Sequence, residues 1–146
     1  MTSNNSFKGM PLRGTPNSGV RPMGIPALDH VDLQDTFVLS WRKASGSLTF
    51  EVLANLLPTH PRAAPPLPNE WACYTEGAIT FFGVTSVAGL PALEDVVPVK
   101  DPDGSIDYGC IDELSLAGPG EYRIAGEFGS VSVAAEGLSF VLHSAA

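Results

Sequence analysis

One short run of carboxylates in the sequence has spacing that resembles a calcium loop. Asp101, Asp103 and Asp107 lie in the segment DPDGSID, and hard cations such as Ca²⁺ are held by several oxygens from alternate positions. The match is incomplete, because Gly104 stands at the fourth position instead of the sixth and the twelfth is Asp112 instead of glutamate. We therefore interpret the segment as a turn, in which Asp bonds to nearby backbone and Gly adopts positive φ.

Acid–base catalysis would require two carboxyl groups with different environments a few ångströms apart. The candidates are Asp107, Asp112, Glu113 and Glu127. Most of them are expected at solvent-facing strand positions, where acidic side chains also discourage edge pairing. Asp107 and Asp112 flank residues 108–110, where a bulge could turn one of them inward. A hydrolase that uses Asp107, Asp112 or Glu127 is kept as a third hypothesis.

The cysteines and histidines do not show the spacing of a metal site. The three histidines are far apart in sequence, and neither Cys73 nor Cys110 has a second cysteine two to four residues away. Cys73 lies in the apolar run Trp-Ala-Cys-Tyr, where a buried thiol is expected. The phosphate-binding loop, the dinucleotide fingerprint and the G-x-S-x-G elbow do not occur. We accordingly expect no metal, no cofactor and no enzymatic activity.

The densest group of recognition-type residues lies in the proline-rich stretch 57–70, which contains five prolines. Within it an R-x-x-P-x-x-P pattern has the spacing of a polyproline helix, in which both prolines share one ridge and the arginine reaches an acidic groove. The alternative is a stiff loop that covers a sheet edge. The predicted binding residues are His60, Arg62, Pro65, Pro68, Glu70 and Trp71.

The segments that must position these residues have the pattern of β-strands. Residues 48–56 alternate regularly, with Leu48, Phe50, Val52, Ala54 and Leu56 on one face. A hairpin loop at 43–46 joins this strand to the preceding one. In that preceding strand, the residues at 37, 39 and 41 are predicted to share one face, opposite those at 38, 40 and 42.

The remaining segments predict more strands and one short helix. A second hairpin is expected across Glu76 and Gly77, between residues 71–75 and 78–84, and further strands within 105–117, 122–128, 131–135 and 138–142. Leu90, Leu93 and Val97 recur at helical spacing, but flanking prolines limit a helix there to about two turns. The pattern predicts an all-β fold, an antiparallel β-sandwich or partly open barrel of about eight strands.

Residues 1–26 differ from the rest of the chain and predict a flexible, disordered tail attached to a single β domain at 27–146. The segment contains Lys8, Arg13 and Arg21, eight glycines and prolines, and no acid. Gly and Pro disfavour regular structure. An alternative is an arm that docks on a partner or on a neighbouring copy, because residues 27–146 hold 16 acidic and 5 basic residues.

Charge and hydropathy together argue against several classes of function. With a net charge of −8 and few clustered cations, the chain is not expected to bind nucleic acid, which requires Lys and Arg to neutralise phosphates. No stretch reaches the 18 or more apolar residues of a membrane span. The N-terminus has no apolar core of a signal peptide, so a soluble protein in the cytoplasm is expected.

Six stretches carry a loose resemblance that covers residues 28–143. They are DTFVLSW at 35–41, LTFEV at 48–52, EWACY at 70–74, ITFFGV at 79–84, DGSIDYG at 103–109 and GEFGSVSV at 126–133. In these stretches the chain resembles a loosely defined set of uncharacterised small bacterial β proteins, some of them linked to toxin immunity. The resemblance implies a small β-sandwich without a known cofactor, and it assigns no functional residues.

These observations predict a non-catalytic protein-binding module, of an immunity-like kind, whose partner is a basic protein. Excess negative charge would speed association with such a partner by electrostatic steering. The alternative is a structural or assembly protein that uses the N-terminal arm to contact neighbouring subunits. The oligomeric state is left open by the sequence.

Overall fold

Antiparallel strands form almost all of the regular structure. The computed structural model describes residues 25–63 and 73–143, and the described part contains ten strands and two single 3₁₀ turns, at Pro26–Leu28 and Leu93–Asp95. The strands are β1 (Val31–Ala44), β2 (Ser47–Leu56), β3 (Cys73–Phe82), β4 (Ser86–Ala88), β5 (Val99–Lys100), β6 (Ile106–Asp107), β7 (Ile111–Gly118), β8 (Glu121–Gly126), β9 (Gly129–Ala134) and β10 (Gly137–Leu142).

Eight of these strands form two four-stranded sheets. The first sheet has the order β1-β2-β3-β10 and the second β4-β9-β8-β7, while β5 and β6 make a separate small hairpin. Every strand pair is antiparallel. Side chains from both sheets pack together in one core. The predicted all-β antiparallel fold is therefore confirmed, and the predicted tail falls largely on residues 1–24, outside the described residues.

The two sheets are joined at opposite corners. At one corner β3 runs into β4 and β9 into β10, with Glu136 N donating to Phe82 O at 2.9 Å and Thr85 N to Ala134 O at 2.8 Å. At the other corner, β1 meets the segment before β7. There Val38 N donates to Gly109 O at 2.9 Å and Tyr108 N donates to Val38 O at 2.8 Å.

The core is built on the inner face of β2, as its alternation predicts. Its five inward side chains, Leu48, Phe50, Val52, Ala54 and Leu56, are at most 2% exposed. Phe50 contacts Phe81 of the first sheet and Phe128 in the turn between β8 and β9, with ring centroids 6.3 and 5.7 Å apart. Burying each large apolar side chain contributes about 1.5–3 kcal/mol, so this strand contributes strongly to the cohesion between the sheets.

The alternation predicted for residues 37–42 is wrong, because β1 contains a bulge. Val38 pairs with Val52 and Ser40 with Glu51, which leaves Leu39 as an extra residue without an opposite partner. A bulge inserts one residue and shifts the period of two. Val38 and Trp41 consequently both lie in the core, at 0% and 6% exposure, whereas Phe37 and Leu39 are only partly buried.

The second predicted hairpin is also wrong. Glu76 and Gly77 lie inside the continuous strand β3, opposite Leu53 and Val52 of β2. Gly77 serves packing here, since a Cβ at this position would lie 2.8 Å from the Val141 carbonyl oxygen. The helix predicted near residues 90–97 is reduced to the 3₁₀ turn at Leu93–Asp95.

We expect Gly77→Ala to destabilise the protein by about 1–3 kcal/mol, because the added methyl group must push β10 away from β3. Urea denaturation followed by tryptophan fluorescence measures the change in the free energy of unfolding. Gly118→Ala is the matched control, since its Cβ would make only ordinary contacts of 3.5 Å or more, and it should stay within about 0.5 kcal/mol of wild type. Equal stability of the two variants would contradict this account of Gly77.

Candidate functional site

The loop after β2 holds the part of the predicted binding cluster that the structure describes. His60 and Arg62 lie in this loop, whereas Pro65, Pro68, Glu70 and Trp71 lie outside the described residues. The half-buried His60 ring accepts a hydrogen bond at Nδ1 from the Arg62 backbone N–H, at 2.9 Å. The ring therefore helps to fold the loop, and the role of the cluster in binding stays a prediction.

The ring of His60 must be neutral to accept this bond. Burial lowers the pKa of His60, and the nearby positive charges of His30 and Arg62 lower it further. His30 is itself tied to the loop, because its Nδ1 shares a 2.7 Å hydrogen bond with Thr59 Oγ1. The described part of the proline-rich stretch is thus held by two histidines.

A cavity among the described residues lies on the outer face of the first sheet, away from the binding cluster predicted from the sequence. The β5–β6 hairpin and the turn between its strands stand against β1, β2 and β3 there and enclose about 360 Å³. We call this cavity the outer cleft. It is lined by Phe37, Leu39, Leu53, Glu76, Asp101, Ser105, Ile106 and Asp107.

The walls of the outer cleft follow from the strand pattern. Leu53 belongs to the outward-facing set of β2, and the bulge in β1 leaves Phe37 and Leu39 outside the core beside it. Ile106 supplies the opposite wall and is 49% exposed. Three apolar side chains on a sheet face beside an exposed isoleucine form a surface that a partner side chain can cover. The sequence indicates this wall only through Leu53, an apolar residue that alternation places on the outer face of β2.

Carboxylates surround this apolar floor. Glu76 is exposed, and its carboxylate has no hydrogen-bonding partner among the described residues. No ion pair formed within residues 25–63 and 73–143 involves Glu76, Asp101 or Asp107. Arg42, a cation on the same outer face, is already bound to Glu51 at 3.0 Å. No cation among the described residues therefore neutralises the carboxylates of the outer cleft.

The run DPDGSID forms a turn, which confirms its interpretation from the sequence. Gly104 N donates to Asp101 O at 2.9 Å, Ser105 N donates to Asp103 Oδ1 at 2.9 Å, and Gly104 has a φ of +93°. Hydrogen bonds from Ser105 lower the pKa of Asp103. Among the described residues, no three His, Cys, Asp or Glu side chains are arranged to hold a metal ion.

Three of the four carboxylates considered for catalysis, Asp107, Asp112 and Glu127, lie close enough to Cys110 to affect its pKa, whereas Glu113 pairs with Arg123. Burial raises the pKa of the Cys110 thiol, and the charges of Asp35, Asp107, Asp112 and Glu127 raise it further. The thiol is therefore protonated at neutral pH and is a poor nucleophile. Asp107 is buried and accepts a 2.8 Å hydrogen bond from the Gly109 N–H, so it stabilises the turn that joins the sheets.

A hydrogen-bonded carboxylate adjoins the outer cleft. Asp35 Oδ2 accepts hydrogen bonds from Tyr74 Oη at 2.7 Å and from Asn55 Nδ2 at 3.0 Å. The Tyr74 ring also packs beside Phe37 of the cleft, with centroids 6.0 Å apart. Burial, followed by the hydrogen bond and charge of Asp35, raises the pKa of Tyr74 to about 12. Tyr74 therefore remains a proton donor to Asp35 at physiological pH.

Comparison with protein-family models, with curated proteins and with solved structures finds no match for this chain. The resemblance to immunity-linked β proteins consequently stays an expectation. In the part of the chain that the structure describes, no helix has the length and apolar character needed to cross a membrane.

The neutral His60 ring predicts a pH dependence of stability. Its pKa in the folded protein lies below 6.5, so the unfolded chain binds the proton more readily as pH falls through 6.5, and stability decreases there. Above that pH the ring contributes no pH dependence. We expect wild type to lose more stability between about pH 7.5 and pH 5.5 than His60→Asn, whose side-chain oxygen accepts the same bond without titrating.

Urea denaturation at the two pH values measures this difference. All other residues are the same in the two proteins, so the difference between them isolates the contribution of His60. An identical loss of stability in wild type and His60→Asn would show that His60 is not responsible.

Proposed function

We propose that the chain is a non-catalytic protein-binding module that engages a basic partner through the outer cleft. The observation that carries the proposal is an apolar floor, formed by Phe37, Leu39 and Leu53, beneath a rim of carboxylates that no described cation neutralises. A partner segment with an apolar side chain and neighbouring Lys or Arg residues complements both features. Buried apolar contact supplies affinity, and the charges supply orientation.

The charge of the whole domain supports the same partner. The described residues contain fifteen Asp and Glu and five Lys and Arg, and two of those cations, Arg42 and Arg123, already form ion pairs with Glu51 and Glu113. A domain with such a negative field attracts a basic protein over distances of about a Debye length and raises its association rate. An immunity-like role, in which a small acidic protein binds a basic toxin, is one function of this kind.

The roles of the carboxylates and the cysteine favour binding over catalysis. Asp107 and Asp35 are engaged in hydrogen bonds that hold backbone or neighbouring side chains. The Cys110 thiol has a raised pKa in a field of like charges, which opposes the formation of a nucleophilic thiolate. The assembly alternative uses the arm at residues 1–26, of which 1–24 lie outside the described residues, and stays a prediction.

Selection from a library of random peptides on the immobilised full chain tests the proposal. We expect enrichment of sequences that combine a large apolar residue with Lys or Arg. The double variant Glu76→Gln with Asp101→Asn should weaken an enriched peptide about fivefold, because each exposed ion pair contributes about 0.5 kcal/mol. Raising NaCl from about 50 to 500 mM should slow association by about an order of magnitude.

The matched control is Glu94→Gln with Asp95→Asn, which removes the same charge from residues that do not line the outer cleft. This control should keep most of the affinity. Enrichment of peptides without basic residues, or equal weakening by both double variants, would refute binding at the outer cleft.

A further inference from the structure

We infer that the outer cleft recognises an extended partner segment in which a large apolar residue and an Arg or Lys are separated by one residue, with Asp35 binding the basic side chain. This inference rests on the proposed function and names the residue that determines its sequence specificity. It follows from the placement of Asp35 relative to the apolar floor and from the way its carboxylate is held.

The spacing comes from the register of β2 and β3. Leu53 of the cleft floor lies opposite Glu76, and Asn55, which donates to Asp35, lies opposite Tyr74. Residues two positions apart on a strand share a face and lie about 7 Å apart. The carboxylate of Asp35 therefore lies on the same face of the sheet as the cleft floor, one two-residue step farther along the strands. An extended partner segment presents side chains to one face with that same repeat.

The carboxylate of Asp35 is already oriented. Both of its hydrogen bonds, from Tyr74 and Asn55, reach Oδ2, and no residue within 25–63 or 73–143 donates to Oδ1. A guanidinium or ammonium group can therefore bind at Oδ1 without displacing a bond that the protein makes. Because the Asp35 side chain is already held in place before binding, less conformational entropy is lost when the partner binds. Hydrogen bonds between ionised groups are also stronger than neutral ones.

Phe37 connects the two parts of the surface. Its side chain lines the outer cleft and packs beside the ring of Tyr74, at 6.0 Å between centroids. A partner residue that covers Phe37 also shields the region beside Tyr74 and Asp35 from water. Partial exclusion of water strengthens the attraction between Asp35 and a bound cation. At this spacing, binding of the partner's apolar side chain therefore strengthens binding of its basic side chain.

Two synthetic peptides of identical composition test the inference against the full chain. In one, Phe and Arg are separated by a single serine; in the other, Arg directly follows Phe, which directs the two side chains to opposite faces of an extended segment. Isothermal titration should show that the spaced peptide binds wild type about tenfold more tightly, the effect of one charged hydrogen bond. In Asp35→Asn, which still accepts bonds from Tyr74 and Asn55, this preference should disappear.

The variants separate specificity from folding. Circular dichroism and the urea midpoint establish that Asp35→Asn is folded, and Tyr74→Phe, which frees the carboxylate to rotate, should reduce the preference for the spaced peptide only in part. Equal affinity of the two peptides for wild type would overturn the inference and leave the proposed function intact, provided that both bind. A preference that persists unchanged in Asp35→Asn would also overturn it. If neither peptide binds and the library gives no enrichment, the proposed function fails as well.

Discussion

The two backbone hydrogen bonds between Val38 and residues 108–109 are the contact on which the arrangement of the molecule depends. They fasten β1 of the first sheet to the segment that leads into β7 of the second. Glycine suits this position for two reasons. Its φ of +89° lies in the left-handed region, and a Cβ on any other residue would lie only 3.0 Å from the side chain of Glu127. Asp107 caps the same turn at the Gly109 N–H. A few residues thus join the backbones of the two sheets at this corner, and side chains in the shared core pack the sheets together between the corners.

The same junction creates the outer cleft. With residues 108–109 fixed to β1, the β5–β6 hairpin that precedes them is held against the outer face of the first sheet, where Ile106 faces Leu53 and Phe37 across the cavity. The bulge at Leu39 contributes as well, since it allows Val38 and Trp41 both to enter the core while Phe37 remains on the cleft side. The candidate site is a consequence of how the sheets are joined.

The carboxylates of the chain differ in their structural roles. Some carboxylates are structural, such as Asp103 and Asp107, which accept hydrogen bonds from backbone N–H groups in turns. Glu51 is different, because burial, which raises its pKa, is outweighed by hydrogen bonds from His143 and Arg42, so that its pKa lies below 4.5. Glu76 has neither role and stays exposed at the rim of the outer cleft.

The sequence by itself determined the all-β class, the inner face of β2 and the turn at DPDGSID, because each depends on local pattern: a period of two, or Asp and Gly at fixed turn positions. Tertiary structure alone decided the rest. The bulge in β1 arises because β1 must pair with β2 and also reach Gly109, and Gly77 lies within a strand, not a turn, because β2 and β10 flank it on both sides. The bonds of Asp35 join residues 20 and 39 positions apart, and the outer cleft brings β1, β2 and β3 together with the β5–β6 hairpin. No local pattern encodes such contacts, because they exist only once the sheets have assembled.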